Sequence, residues 1–270
     1  MRQGRIDICW FSGTGNTLKA AEVLGKAFRQ AGREVRFVPM TAPAPSAKEL
    51  GEVVGLAFPV ACQGSYPPVW DFCRALPRGE GREAFLLDTL AQYSGGIVGP
   101  LGKLMRAKGY RTVGAREIRM PNNFMPKPLS ADELGKKISA GEQAARDYAG
   151  ELLADGASWG AGMPCISWLW GRISRQKLTW RLMARLGKRF GVVADRCVRC
   201  GQCVELCPVG NIVLEDVPVF GKTCIQCQRC VMLCPAGAIT VKGKEPLRYR
   251  VVSGSEMLAR ERQGGPEPAA

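Results

Sequence analysis

The sequence predicts an α/β protein: a doubly wound, five-stranded parallel sheet followed by a small α+β module. Three observations carry this reading. Strand-like apolar runs alternate with helical periodicities through the N-terminal half. A loop rich in glycine and hydroxyl side chains separates the first strand from the first helix. Near the C-terminal end, two cysteine runs repeat with the same spacing.

Residues 5–11 read as a buried strand that ends in the loop Phe11-Ser12-Gly13-Thr14-Gly15-Asn16-Thr17. Residues 16–30 follow as an amphipathic helix, with Leu18, Ala21, Leu24 and Phe28 on one side and Gly32 placed to close it. Residues 34–38 and 52–58 predict the second and third strands. A short helix over 68–76, a strand over 84–88, a helix over 99–108 and a strand over 111–119 complete the alternation. Ligands of such sheets sit beyond the carboxyl ends of the strands. Residues 121–128 read as an irregular connection and 131–154 as a long helix, acidic on its exposed side.

The expected organisation is therefore an α/β domain over 1–128 and a helical connecting region over 129–194. The cysteine module follows over 195–245, and 246–270 form a Gly/Pro/Glu-rich, partly disordered tail.

The cysteine runs are Cys197-x2-Cys200-x2-Cys203-x3-Cys207-Pro208 and Cys224-x2-Cys227-x2-Cys230-x3-Cys234-Pro235. Residues 197–214 and 224–241 align without gaps, 27 positions apart. Zinc sites more often show two separated Cys/His pairs, and a disulfide scaffold needs an oxidising compartment. The spacing resembles that of bacterial two-cluster ferredoxins. That resemblance implies two [4Fe-4S] clusters, with each run giving three thiolates to one cube and its Cys-Pro thiolate to the other. Cys197, Cys200, Cys203 and Cys234 would hold one cluster; Cys224, Cys227, Cys230 and Cys207 would hold the second.

The loop after the first strand has neither the third glycine of a dinucleotide fingerprint, since Leu18 stands there, nor the Gly-Lys pair of a P-loop. Its glycines admit close backbone approach. Hydroxyls, Asn16, backbone N–H groups and the helix N-terminus can all serve a phosphate. It resembles the FMN phosphate loop of flavodoxins, with Ser12, Thr14, Gly15, Asn16 and Thr17 matching the pattern and Gly13 between them. The resemblance implies a flavodoxin-like sheet whose flavin ring lies between the loops 59–68 and 89–96. In those loops Tyr93 is the stacking candidate, and Ser94, Gly95 and Gly96 bring backbone to the ring edge. Tyr66 is a second aromatic candidate, because Ala61 and Cys62 stand where an aromatic is frequent. The alternative for both tyrosines is ordinary packing. As a whole, the chain resembles the fusion of a flavodoxin-like domain with a two-cluster ferredoxin module.

The formal net charge of the 270-residue chain is +14. Two oxidised cubes and a flavin phosphate would bring it to about +8. Residues 156–194 carry Arg172, Arg175, Lys177, Arg181, Arg185, Lys188 and Arg189 with no acid, and also hold Trp159, Trp168, Trp170 and Trp180. Leu178, Leu182, Leu186 and Phe190 recur at helical spacing. This basic amphipathic stretch points to one of three roles: packing on the chain's own domains, an acidic partner, or an anionic membrane surface. Nucleic acid is not expected, because the stretch carries no nucleic-acid-binding pattern.

The chain has no histidine, which removes the commonest proton-transfer side chain near neutral pH. Twelve cysteines without a secretory pattern predict a cytoplasmic location, at most peripheral to the inner face of the membrane. Cys9, Cys62, Cys73 and Cys165 lie outside the runs and read mainly as buried small apolar groups. The expected function is electron transfer between FMN and two [4Fe-4S] clusters, joining two-electron to one-electron redox protein partners. The alternative is an FMN-dependent reductase of a small molecule fed by the clusters.

Overall fold

Every residue of Ile6–Trp10 (β1) is buried, as the central strand of a sheet covered on both faces requires. Its one charged residue, Asp7, is fully buried and satisfied. It accepts from Arg36 at 2.6 and 3.0 Å, from Arg5 at 2.9 Å and from the Gly51 N–H at 2.8 Å. Helix α1 (Asn16–Gln30) buries Leu18, Ala21, Leu24 and Phe28. It ends with Gly32 at φ +76° and an Arg33 N–H bond to the Phe28 carbonyl, the glycine-closed terminus expected from the sequence.

The strands β2 (Val35–Pro39), β3 (Val53–Pro59), β4 (Glu83–Leu90) and β5 (Arg111–Arg119) join β1 in the order β2-β1-β3-β4-β5, every pairing parallel. This is the flavodoxin-like doubly wound order. Helices α2 (Pro67–Ala75) and α3 (Val98–Ala107) cover one face; α1 and α4 (Ala131–Leu153) cover the other. Helix α2 opens on Pro67, where a missing N–H costs nothing. Helix α4 opens on a capping box: Ser130 Oγ accepts from the Glu133 N–H at 3.2 Å and the Glu133 carboxylate accepts from the Ser130 N–H at 2.8 Å.

The computed structural model describes residues 1–91, 96–122, 129–160, 172–173, 175–176, 179–180, 182, 184–185 and 190–264. Three expected boundaries move. Helix α4 is part of the α/β unit, not of a connecting region. Ala145, Tyr148, Ala149 and Leu152 enter the core beneath β4 and β5, and Gly141 has no side chain to collide with Met120 Sδ. The cysteine module begins before 195, because β6 (Phe190–Val192) pairs antiparallel with β9 (Ile239–Val241). Phe190 is thus a strand residue and does not continue the helical spacing of Leu178, Leu182 and Leu186. The expected tail is ordered over most of its length. Gly254–Gly264 is a helix (α7) whose Met257 is fully buried, while residues 265–270 lie outside the described residues.

The cysteine module repeats its own backbone at the 27-residue offset. Helix α5 (Gln202–Glu205) recurs as α6 (Arg229–Met232), and β7 (Ile212–Leu214) recurs as β9. Strand β8 (Pro218–Phe220) pairs with β7. Positive φ recurs too: Arg199 and Gln226, Gly201 and Gln228, Gly210 and Gly237. Non-glycine residues in that region cost about 1–2 kcal/mol each. The conformation turns successive N–H groups toward one side, as an anion-binding nest does.

The module is fused to the sheet by packing. Leu206, Leu233 and Met257 complete the core on the α1/α4 face, and Ile225 joins the core on the α2/α3 face. Each fully buried side chain of this kind contributes about 1.5–3 kcal/mol.

Candidate functional site

Four loops meet at the carboxyl ends of the strands. They enclose an open pocket of about 120 Å3. Ser12, Gly13, Thr14, Asn16 and Thr17 come from the loop after β1. Pro59, Val60 and Tyr66 follow β3, Thr89, Leu90 and Ala91 end β4, and Met120, Pro121 and Asn122 follow β5. The remaining wall is Cys227 and Gln228 of the cysteine module. A larger groove of about 820 Å3 runs along α1 between Lys19 and Gln30, away from the strand ends where ligands of such sheets bind.

The loop 12–17 is held rigidly. Ser12, Thr14, Asn16 and Thr17 are all buried. Ser12 Oγ accepts from the Gly15 N–H at 3.1 Å, and Thr17 and Thr89 share a 2.6 Å hydroxyl–hydroxyl bond. Asn16 Nδ2 donates to the Pro121 carbonyl at 3.0 Å and to the Tyr249 hydroxyl at 2.6 Å. Among the described residues its Oδ1 is buried with no partner. Gly15 sits at φ +102°, and a Cβ there would lie 2.6 Å from Val252. A Cβ on Gly13 would lie 2.6 Å from the Cys227 carbonyl. Glycine is required at both positions, and at both the neighbour is the C-terminal part of the chain.

The expected ring contacts are placed in part. Tyr93, Ser94 and Gly95 lie outside the described residues. Gly96 donates its N–H to the Gln63 carbonyl at 2.8 Å. Tyr66 lines the pocket and packs at a tilt against Phe11 (5.4 Å between ring centres, 51°) and Trp180 (5.6 Å, 44°). Burial pushes its hydroxyl pKa up, with the Cys227 thiol adding to the effect, so the ring stays neutral.

The eight run cysteines divide into two sets. Cys197, Cys200, Cys203 and Cys234 line one cavity, closed by Val198, Leu214, Pro218 and Ile239. Burial pushes Cys203 up to about 11, with Cys234 adding to it. The second set is buried more deeply. Burial pushes Cys227 up to about 12 and Cys230 well above the ordinary thiol range, and Cys207 and Cys224 add to both. Backbone N–H groups aim at this set: Asn211 donates to Cys207 Sγ at 3.2 Å and Gln226 to Cys224 Sγ at 3.4 Å. Among the described residues no three ligating side chains converge on one point, the arrangement a single zinc ion requires.

Sequence reasoning missed Arg229, Tyr249 and Glu261. Arg229 stood in the second run as a spacer, and the other two in a stretch read as tail. Arg229 is 1% exposed; its Nε donates to the Ser12 carbonyl at 2.8 Å and its Nη2 pairs with Glu261 at 3.0 Å. Cys9 and Cys73 are core residues and Cys62 is exposed, while Cys165 lies outside the described residues.

Residues 190–213 and 218–240 each match the family model of the 4Fe-4S binding domain. Both segments are thus 4Fe-4S binding modules, and each contains one cysteine run whole.

Solved structures similar to the chain include an archaeal flavodoxin, at 16% identity and a TM-score of 0.39, over 55% of this chain and 99% of that one. The two-electron reduced flavodoxin of Megasphaera elsdenii aligns at 22% identity and a TM-score of 0.36, over 52% and 98%. A flavodoxin mutant from Pseudomonas aeruginosa aligns at 19% and 0.39, over 55% and 99%. No curated protein matches. Among the described residues no helix is long and apolar enough to cross a membrane.

Proposed function

We propose that the chain is an electron carrier that passes electrons between FMN, bound in the pocket at the strand ends, and two [4Fe-4S] clusters in the cysteine module. The observation that carries this reading is the shared wall: Cys227 of the second cysteine set lines the same pocket as the 12–17 loop. When bound, FMN supplies one- or two-electron chemistry and each cluster one-electron chemistry.

The residues present fit both groups. For a flavin phosphate, Ser12, Thr14, Asn16 and Thr17 supply polar groups at a helix N-terminus. Tyr66 offers an aromatic wall for the ring. For the cubes, Cys197, Cys200, Cys203 and Cys234 would hold one, and Cys207, Cys224, Cys227 and Cys230 the other. The nest-like N–H groups favour thiolate over thiol. Burial opposes that ionisation, so it is iron binding that would displace these protons, releasing them to solvent.

The described lining of the pocket contains no Asp, Glu, Lys or Arg. The chain's work is to hold its cofactors close, exclude water between them, and set their potentials by burial and hydrogen bonding.

The test is a double substitution, Thr14→Ala with Asn16→Ala, in the full chain. FMN affinity should fall at least tenfold, with the loss of the Thr14 hydroxyl and of the Asn16 bonds that hold the loop to Pro121 and Tyr249, while iron content holds. Stoichiometric FMN in the double variant would remove the loop from the site.

A further inference from the structure

The two cysteine runs are matched in backbone but not in charge. At the 27-residue offset, Arg229 of the second run corresponds to Gln202 of the first. Gln202 is half-buried at the start of α5, whereas Arg229 is 1% exposed at the start of α6. A buried guanidinium needs partners, because an uncompensated buried charge is strongly destabilising. Arg229 finds them in three parts of the chain. Nε donates to the Ser12 carbonyl in the phosphate loop at 2.8 Å and Nη1 donates to the Leu206 carbonyl after α5 at 3.3 Å, while Nη2 forms an ion pair with Glu261 of α7 at 3.0 Å without hydrogen-bond geometry. Its Cζ lies 4.8 Å over the Phe11 ring, and Phe11 leads through Tyr66 to the pocket. Glu261 is itself held by the Thr41 hydroxyl at 2.8 Å.

We infer that Arg229 is a positioning residue that couples the two redox centres: it raises the reduction potential of the cluster held by Cys207, Cys224, Cys227 and Cys230, and it holds that cluster against the FMN loop. The inference rests on the proposed electron-carrier reading and adds an order to it. The Cys207–Cys224–Cys227–Cys230 cluster is proximal to the flavin, and the one in the cavity of Cys197, Cys200, Cys203 and Cys234 is distal.

The physical argument is electrostatic. One-electron reduction places one more negative charge on a cube, whether the electron comes from the flavin or from an added reductant such as dithionite, and no bond is made or broken. A fixed cation in a low-dielectric setting stabilises that charge far more than it would in water. Glu261 offsets part of this field, so the two residues act with opposite sign on the same cluster. At the matching position the first run has Gln202, and the cation that lines the distal cavity, Arg199, is an exposed side chain and not a buried one.

The test is an EPR-monitored potentiometric titration of the full chain, purified without oxygen, with iron and FMN content measured for each variant. Arg229→Gln gives the second run the side chain of the first. One of the two cluster potentials should fall, the other should stay, and FMN affinity should drop about tenfold with the loss of the Ser12 bond. Glu261→Gln leaves Arg229 unopposed and should shift the same cluster upward. Arg229→Lys should restore most of the potential but not the flavin affinity, because ammonium keeps the charge and loses the fixed fork.

Unchanged potentials in both Arg229→Gln and Glu261→Gln at full iron load would overturn the inference. So would equal shifts of both clusters, which would mean general loosening. If Arg229→Gln loses iron, the Glu261→Gln and Arg229→Lys shifts decide the matter. A wild-type chain that binds no FMN would sink the carrier reading, yet the cluster potentials would still report on Arg229.

Discussion

Asp88 shows how far a single residue departs from what its strand suggests. It lies in β4 between Phe58 of β3 and Glu117 of β5. It is fully buried, and among the described residues neither carboxylate oxygen has a partner. Burial pushes its pKa well above the ordinary carboxylate range, and Glu117 pushes the same way. The folded chain therefore holds the proton where the unfolded chain, with a pKa of about 3.9, has released it. Stability is lost as pH rises from about 4 toward the folded value. Asp88→Asn should melt higher than the parent at pH 8, with the gap closing toward pH 4. An equal gap at both ends would mean that Asp88 is ionised in the fold.

At this scale the sequence is legible where chemistry imposes a spacing. The eight cysteines and Ser12 to Thr17 could be named because ligand geometry and phosphate binding restrict the residue types allowed. Arg229, Tyr249 and Glu261 could not, since their roles arise from contacts more than 200 residues apart in sequence.

Among the elements, those with a strong period stood out and those joined by tertiary contact did not. Helix α1 and strand β5 occupy the predicted residues; the helix shows one apolar stripe, and the strand is an edge strand with Gly114 and Ile118 turned inward. Helix α4 was legible as a helix but not as a layer of the sheet domain: its buried side is made of Gly141, Ala145 and Ala149 around Tyr148 and Leu152, a weak apolar signal that close packing makes sufficient. Its start depends on the capping box. Ser130→Ala should cost about 1 kcal/mol and lower Tm by about 2–4 °C with iron content unchanged. No shift in a thermal melt would remove the cap from the account. Strand β6 is three residues long and exists only through its pairing with β9, so its own sequence could not announce it. In the basic stretch from Arg172 to Arg189, Trp180 packs against Tyr66, and Arg175 lies 5.2 Å over the Trp70 ring. These two side chains pack on the chain's own fold.

For the whole molecule, the decisive feature is that the cysteine module is built into both faces of the sheet domain. Leu206 and Leu233 lie in the core with α1 and α4, and Ile225 lies with α2 and α3. Swinging the module away would expose these side chains, at about 1.5–3 kcal/mol each, and would break the buried Arg229–Glu261 and Arg229–Ser12 contacts. The pocket at the strand ends and the second cysteine set are therefore held in contact, and the proposed transfer between them would need no domain motion. Fold class and module order were readable from alternation and repeat. The docking was not, because no local pattern encodes which face of one module meets another.

The central claim is that one chain carries a flavin and two cubes in electronic contact. The most direct measurement is purification without oxygen, quantification of FMN, iron and sulfide, and EPR spectra before and after dithionite. The account predicts about one FMN and about eight iron per chain, with reduced-cluster signals that interact. Eight iron with no flavin, even after FMN is added, would contradict it and leave the strand-end pocket without its proposed occupant.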